Sequence, residues 1–221
     1  MTDPSWLSLM APNAFAPAAK LRKSDRTRQA ILEGARIAFA RKGFSGVTIQ
    51  DIADLAQVTR ANFYYYFHDK RQLFIELGTA TYREALGVVE AFGELGDAPG
   101  KDAIRDWVAR YFAYLDRNGA FVIRSAEDSP DDRNFRASRA RSHRRTAQAL
   151  GDRIAKLSTT PPEVDSPALG LAIMAMLERS WLMTQHNEIP TISRDTVVAA
   201  VAELISRLAD SDKEPRCHYQ T

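Results

Sequence analysis

The sequence predicts an all-α protein, an N-terminal helix-turn-helix domain followed by a larger helical domain. Three observations carry that expectation. Apolar residues recur at helical spacing along almost the whole chain, no alternating run is long enough for a useful strand, and three helix starts crowd into residues 48–70.

In chain order, Ser24 or Asp25 can cap a first helix that includes Thr27 to Lys42, and Gly43 suits the position just past its end. Thr48, with Asp51 three residues on, can cap a second helix whose Ile49, Ile52, Ala53 and Ala56 share a buried stripe. Gln57 and Val58 fit a turn. Thr59 can then cap a third short helix that sends Phe63 and Phe67 into the core and leaves Arg60, Ala61, Asn62, Tyr64 and Tyr65 largely on the other side. Asp69, with Gln72, can cap a fourth helix from Lys70 to about Gly93. Lys70 and Arg71 in its first turn oppose the helix dipole, an arrangement that a phosphate at that end makes tolerable.

The second half reads as further helices. Gly96 to Gly100 breaks the chain, and Asp102 to Arg117 is amphipathic, with Ile104, Trp107, Val108, Tyr111, Phe112 and Leu115 on its apolar side. Asn118-Gly119 is expected to stop that helix, with a short one following at Phe121 to Ala126. Asp132 to Leu157 reads as an arginine-rich helix ended by Thr159-Thr160-Pro161-Pro162. Ser166 caps, and Pro167 opens, a helix reaching about Asn187. Ser193 caps a last one, striped by Val197, Val198, Val201, Leu204, Ile205 and Leu208. The expected domains are a flexible basic extension over 1–23, a helix-turn-helix domain over 24–69, a ligand-binding and dimerisation domain over 70–209, and a tail over 210–221.

Composition narrows the function classes. With 221 residues, 45% of them hydrophobic and 26% charged, the chain can bury a sizeable core. The stretch Leu169 to Met183 is too short and too charged to span a bilayer, and the proline-broken N-terminus does not read as a leader, so a cytoplasmic protein is expected. Cys217 is the single cysteine, and the four histidines are scattered, so neither a disulfide within the chain nor a metal site is expected, and no cofactor is called for. No phosphate-binding glycine loop or nucleophile motif stands out, which argues against an enzyme. The net charge of +2 hides an asymmetry. Residues 20–70 hold ten Lys and Arg against five Asp and Glu, leaving the remainder at −3. A basic head on an acidic body suits contact with a polyanion.

The run Ala56, Gln57, Val58, Thr59, Arg60, Ala61, Asn62, Phe63, Tyr64, Tyr65, Tyr66, Phe67, with Lys70 and the preceding Thr27 to Lys42 helix, resembles the N-terminal domain of the tetracycline-repressor (TetR) family. The resemblance covers about residues 25–77. Gln57 and Ala61 stand where that family commonly has glycine, which makes any borrowed operator sequence unsafe. It implies a dimeric transcriptional repressor that binds double-stranded operator DNA and is released by a small-molecule effector; the alternative is a ligand-independent regulator or an activator.

Arg60 can bridge guanine O6 and N7, Asn62 can bridge adenine N6 and N7, and Ala61 can touch a thymine methyl; with Tyr65 these are the expected base contacts. By resemblance, Thr48, Thr59, Tyr64, Tyr66 and Lys70 hold phosphates, which set register. Three consecutive tyrosines cannot share one helix face, so at least one is exposed. Lys20, Arg22 and Lys23 read either as a minor-groove arm or as a solubilising tail.

For the effector site the expectation is Trp107, Tyr111, Leu115, Phe121, Phe135, Arg139, Ser142, Met174, Leu177, Glu178 and Trp181, with a hydrophobic or acyl ligand. Aromatics and methionines at this spacing also serve plain cores, and that reading stays open. Glu178 amid apolar neighbours needs a partner, for which Arg139 is the candidate; Arg139 facing an anionic ligand is the other option. Apolar stripes on the last two helices, at Leu171, Met174, Ala175, Leu182 and Val197 to Leu208, suit a homodimer interface or the internal core.

Overall fold

The structure, a computed structural model, describes residues 22–158, 163–185 and 191–210. Residues 1–21 of the expected extension, Lys20 among them, the Thr159–Pro162 breaker, the end of the seventh helix near Asn187 and the final tail lie outside the described residues; Arg22 and Lys23, expected to precede the first helix, are its N-cap and first residue.

Eight helices make up the described chain, and no strand occurs among the described residues: α1 (Lys23–Gly46), α2 (Ile49–Leu55), α3 (Arg60–Tyr66), α4 (Lys70–Gly93), α5 (Lys101–Glu127), α6 (Arg133–Leu157), α7 (Ser166–Gln185) and α8 (Arg194–Asp210). They form two compact units. The first comprises the described residues of Met1–Glu84, Tyr114–Ala140 and Gln185–Asn187, and the second those of Ala85–Ala113, Arg141–Thr184 and Glu188–Thr221.

Most local signals act where the sequence puts them. The Thr48 hydroxyl accepts from the Asp51 amide at 3.1 Å while the Asp51 carboxylate accepts from the Thr48 amide at 2.8 Å, a reciprocal capping box. Thr59 Oγ1 accepts from the Asn62 amide at 3.1 Å. At α4 Asp69 Oδ1 accepts from Gln72 N, while Gln72 Oε1 accepts from His68 N, one residue before the cap. Asp132 caps α6 through the Phe135 amide, and Ser193 caps α8 through the Thr196 amide. The α1 start differs: its N-cap position falls on Arg22, with no side-chain cap, instead of on Ser24 or Asp25. Gly43 bends the chain at φ +70° before α1 resumes for one last turn. The angle calls for glycine, and a Cβ there would also push the Asp128 carboxylate aside.

Asn118-Gly119 does not end a helix; α5 continues through to Glu127. The Asn118 side chain is fully buried and its amide is claimed by tertiary partners. Its oxygen accepts from Arg36 Nη1, and its nitrogen donates to Glu84 Oε2 at 2.9 Å and to the Tyr114 carbonyl at 3.2 Å. A side chain satisfied in this way has nothing left to offer a turn. Arg36, itself buried, is pushed down in pKa first by burial and pulled back up by Glu33.

The first unit has an aromatic core. Phe39 meets Phe74 edge-on at 4.9 Å, Phe74 meets Phe121 at 5.3 Å and Phe135 at 5.5 Å, and Ile31, Ile52, Phe63, Phe67, Leu73 and Leu77 close around them. In the second unit Phe92 meets Trp107 edge-on and Trp107 meets Tyr111 at a tilt, with the Trp107 indole donating to the Val88 carbonyl at 2.7 Å. There α6 and α7 cross at Gly151 and Gly170, each of which would press a Cβ to 1.8 Å from a carbonyl oxygen of the other helix.

Candidate nucleic-acid interface

Helix α1 positions the pair that follows it. Gly34 lies so close to α2 that a Cβ would stand 3.0 Å from the Ala56 amide and the Ile52 carbonyl oxygen, which fixes the crossing of α1 and α2. The turn between α2 and α3 is held by the Val58 amide donating to the Ala53 carbonyl at 2.9 Å, and it passes through Gln57 at φ +55°. A left-handed angle costs a side-chain-bearing residue about 1–2 kcal/mol. Gln57→Gly is therefore expected to raise stability by about 0.5–1 kcal/mol, after the entropic cost of glycine. Urea denaturation checks it: the midpoint moves up with an unchanged slope.

Phe63 anchors α3 with no exposure, and Phe67 just beyond its end is nearly as buried. That leaves Arg60, Ala61 and Asn62 exposed, with Tyr64 48% and Tyr65 81% exposed; Tyr66 is half-buried and packs on the core of the first unit. Among the expected base contacts, Arg60, Ala61, Asn62 and Tyr65 thus all reach solvent from one short capped helix. Of the expected phosphate contacts, Thr48 and Thr59 are exposed at the starts of α2 and α3. Lys70 is placed differently. Its ammonium donates to the Phe44 carbonyl at 2.9 Å and the Val47 carbonyl at 2.8 Å, and stands 4.7 Å over the Phe44 ring, so it holds the end of α1.

Two further cations are ion-paired in this unit: Lys42, which was not a candidate, and Arg71, which was expected only as part of the cationic start of α4. Lys42 pairs with Asp51 at 2.6 Å, and Arg71 pairs with Asp132. Their sequence signal was thin: a lysine at the end of a helix and an arginine beside Lys70. The Lys42 hydrogen bond, followed by those from Thr48, holds the Asp51 carboxyl down to a pKa of about 2. Because that lies below the unfolded value of about 4, the stabilisation is present at pH above about 4 and is lost as pH falls toward 2. The stability difference between wild type and Asp51→Asn is expected to shrink across that window, as read by denaturation at stepped pH.

The expected effector residues are divided between the units. Leu115, Phe121, Phe135 and Arg139 fall in the first, where Phe121 and Phe135 belong to the aromatic core and Arg139 Nη1 donates to the Ser125 carbonyl at 2.8 Å. Trp107, Tyr111, Ser142, Met174, Leu177, Glu178 and Trp181 fall in the second. Trp107, Tyr111 and Leu177 have no exposure, Met174 and Trp181 have 4%, and Ser142 is half-buried. Glu178 is half-buried too, and burial alone pushes its carboxyl up. No cation contributes to that shift, and the Arg139–Glu178 pair is not among the ion pairs of the described residues. A separate surface cleft of about 420 Å³ lies between α5 and α8, lined by Asp102, Arg105, Asp106, Ala109, Arg194, Asp195 and Val198.

Among the described residues no group of three or more His, Cys, Asp or Glu is arranged to hold a metal ion, and no helix is long and apolar enough to cross a membrane.

A capped short helix, a tight turn and a second capped helix with an exposed polar face define a helix-turn-helix DNA-binding domain, here followed by a helical domain. Residues 31–77 match the family model described as "Bacterial regulatory proteins, tetR family", and it is to the TetR family of transcriptional regulators that this domain belongs. The chain is 35% identical over 103 residues to "HTH-type transcriptional repressor NicS" of Pseudomonas putida, covering 47% of this chain and 48% of that relative. It spans about half the length, or less, of the curated relatives it matches. Two solved structures share the fold: the TetR family regulator PfmR from Thermus thermophilus (21% identity, TM-score 0.62, 81% of this chain and 95% of that one) and a TetR-like regulator from a Rhodococcus species (20% identity, TM-score 0.63, 86% and 96%). These relatives are named as transcriptional repressors or regulators.

Proposed function

We propose that this chain is a cytoplasmic transcriptional repressor that binds a two-fold symmetric operator as a homodimer and is released by a small hydrophobic or acyl effector. The observation that carries the reading is the exposed face of α3, where Arg60, Ala61 and Asn62 stand clear of a helix anchored by Phe63. Arg60 and Asn62 carry the two side-chain types that pair bidentately with guanine and adenine. Thr48, Thr59 and Tyr64 supply neutral donors for phosphates. Tyr66 contributes from a half-buried position, and Lys70 acts chiefly by fixing the α1 end, since its donors are already engaged.

One reading head makes few phosphate contacts, so useful affinity calls for two. The second unit supplies a surface for that. Leu171 on α7 is 52% exposed, and on α8 Leu204 is 52% and Leu208 42% exposed, an unusual amount of apolar surface for two helices that otherwise bury Ile173, Leu177, Val201 and Ile205. The effector would enter the second unit near Met174, Glu178 and Trp181, where a half-buried carboxyl offers an ionisable group. Tight burial of Trp107, Tyr111 and Leu177 favours a second reading, a regulator that responds to no ligand.

The test is a selection of genomic DNA fragments on purified protein, repeated with a metabolite and acyl-thioester pool, with the mass of the bound species measured by sedimentation. A palindrome bound by a dimer and lost with one pool fraction supports the whole reading. A palindrome bound equally with every fraction supports the ligand-blind alternative, and a bound monomer contradicts the dimer.

A further inference from the structure

The turn between α2 and α3 carries a side chain that the fold itself does not need. Gln57, at φ +55°, is the single non-glycine residue with a positive φ among the described residues. Its backbone is held there from both sides. The Gln57 amide donates to the Asp54 carbonyl at 3.1 Å and the Val58 amide to the Ala53 carbonyl at 2.9 Å, a pattern that closes a helix through a left-handed residue. Glycine meets that angle without cost, and asparagine or aspartate tolerates it by bonding locally. Gln57 does neither. Its side chain is exposed, and its carboxamide makes no hydrogen bond among the described residues.

A strained angle whose side chain does nothing to relieve it points to a use for that side chain outside the folded chain. Its position says where. Thr59, the α3 cap, is two residues further on, within about 7 Å of chain, and Arg60 opens the helix directly after it. Exposed Arg60, Ala61 and Asn62 make this end of α3 the base-reading surface, and Thr48 and Thr59 are exposed at the starts of α2 and α3. All of these residues belong to the first unit. The residue leading into the inserted end of a recognition helix lies at the edge of the groove, where backbone phosphates are the nearest groups.

We propose that Gln57 is a phosphate contact of this domain, its carboxamide N–H donating to the DNA backbone beside the bases read by α3. The inference rests on the DNA-binding reading above. A glutamine carboxamide is among the neutral donors that hold phosphate oxygens and so set register without reading sequence. The side chain lowers the stability of the free protein through the angle of the turn and raises its affinity for the duplex. Removing it therefore moves the two quantities in opposite directions. A turn residue with a purely structural role would move both together or leave binding unchanged.

The test compares full-length wild type with Gln57→Gly, Gln57→Ala and Gln57→Lys on a selected duplex and a random one of equal length, with thermal denaturation alongside. Gln57→Gly should melt above wild type yet bind both duplexes about two- to tenfold more weakly, the loss of one neutral hydrogen bond. Gln57→Ala keeps the strained angle, so it should melt near wild type and show the same loss, which separates the missing amide from the added flexibility of glycine. Neither should change the log–log salt slope, because a neutral donor releases no counterion, whereas Gln57→Lys should steepen it by about 1 per bound protomer. Wild-type affinity in both the glycine and the alanine variant would overturn the inference while leaving the head reading intact. A loss confined to the selected duplex would overturn it in favour of a base-edge contact. Wild type with no preference for the selected duplex would overturn the head reading and this inference with it.

Discussion

Gly170→Ala is expected to destabilise the protein by more than about 3 kcal/mol, the upper range for a single small-to-large change in a packed interior. A Cβ on Gly170 would stand 1.8 Å from the Ala147 carbonyl oxygen, and one on Gly151 would stand 1.8 Å from that of Ser166. Both obstacles are backbone atoms, so no rotamer change relieves them. The helices must separate, and separation undoes the packing of Leu150, Ile154, Ile173 and Leu177 in the second unit. Gly151→Ala should behave alike, and the two together should cost less than their sum because one separation serves both. Gly87→Ala is the control. It lies in α4 with open space around the added methyl, so it should stabilise by about 0.5–1 kcal/mol. Thermal or urea denaturation of the three variants checks the pattern; a Gly170→Ala protein as stable as Gly87→Ala would mean that α6 and α7 do not cross so closely.

The second large effect belongs to α3. Arg60→Ala and Asn62→Ala are each expected to weaken binding to the selected site by about 1–3 kcal/mol, about ten- to a few-hundredfold in Kd, and to relax preference at one or two base positions each. Neither should change stability much, since both side chains are exposed on a helix whose cap is Thr59. Affinity for random duplex should change little for Asn62→Ala and modestly for Arg60→Ala, which loses a charge. Competition binding with selected and random duplexes separates these outcomes. Equal losses on both DNAs for both variants would assign the residues to phosphates.

What could be read from the sequence was what is decided locally. Thr48 with Asp51, Thr59 with Asn62, Asp69 with Gln72 and Ser193 with Thr196 bond within four residues of themselves, so a short window contains both partners. Asn118-Gly119 misled because the partners of Asn118, Arg36 and Glu84, lie 82 and 34 residues away. Lys70 also has distant partners. A lysine at a helix start suggests a phosphate, and a short window does not contain the carbonyls of Phe44 and Val47, more than twenty residues earlier, to which its ammonium donates. The expected effector residues were the least legible. Trp107 and Tyr111 on α5, and Met174, Leu177 and Trp181 on α7, each have the spacing of an apolar face, and that spacing is the same whether the face lines a cavity or fills a core.

The most direct test of the central claim, that α3 reads bases in the major groove, is methylation interference at guanine N7 on the selected duplex. The account predicts interference at guanines in two symmetric half-sites about one helical turn apart. It also predicts that Arg60→Ala abolishes interference at one guanine in each half-site while the remaining positions persist. Binding that is indifferent to N7 methylation, or interference identical in wild type and Arg60→Ala, would contradict it.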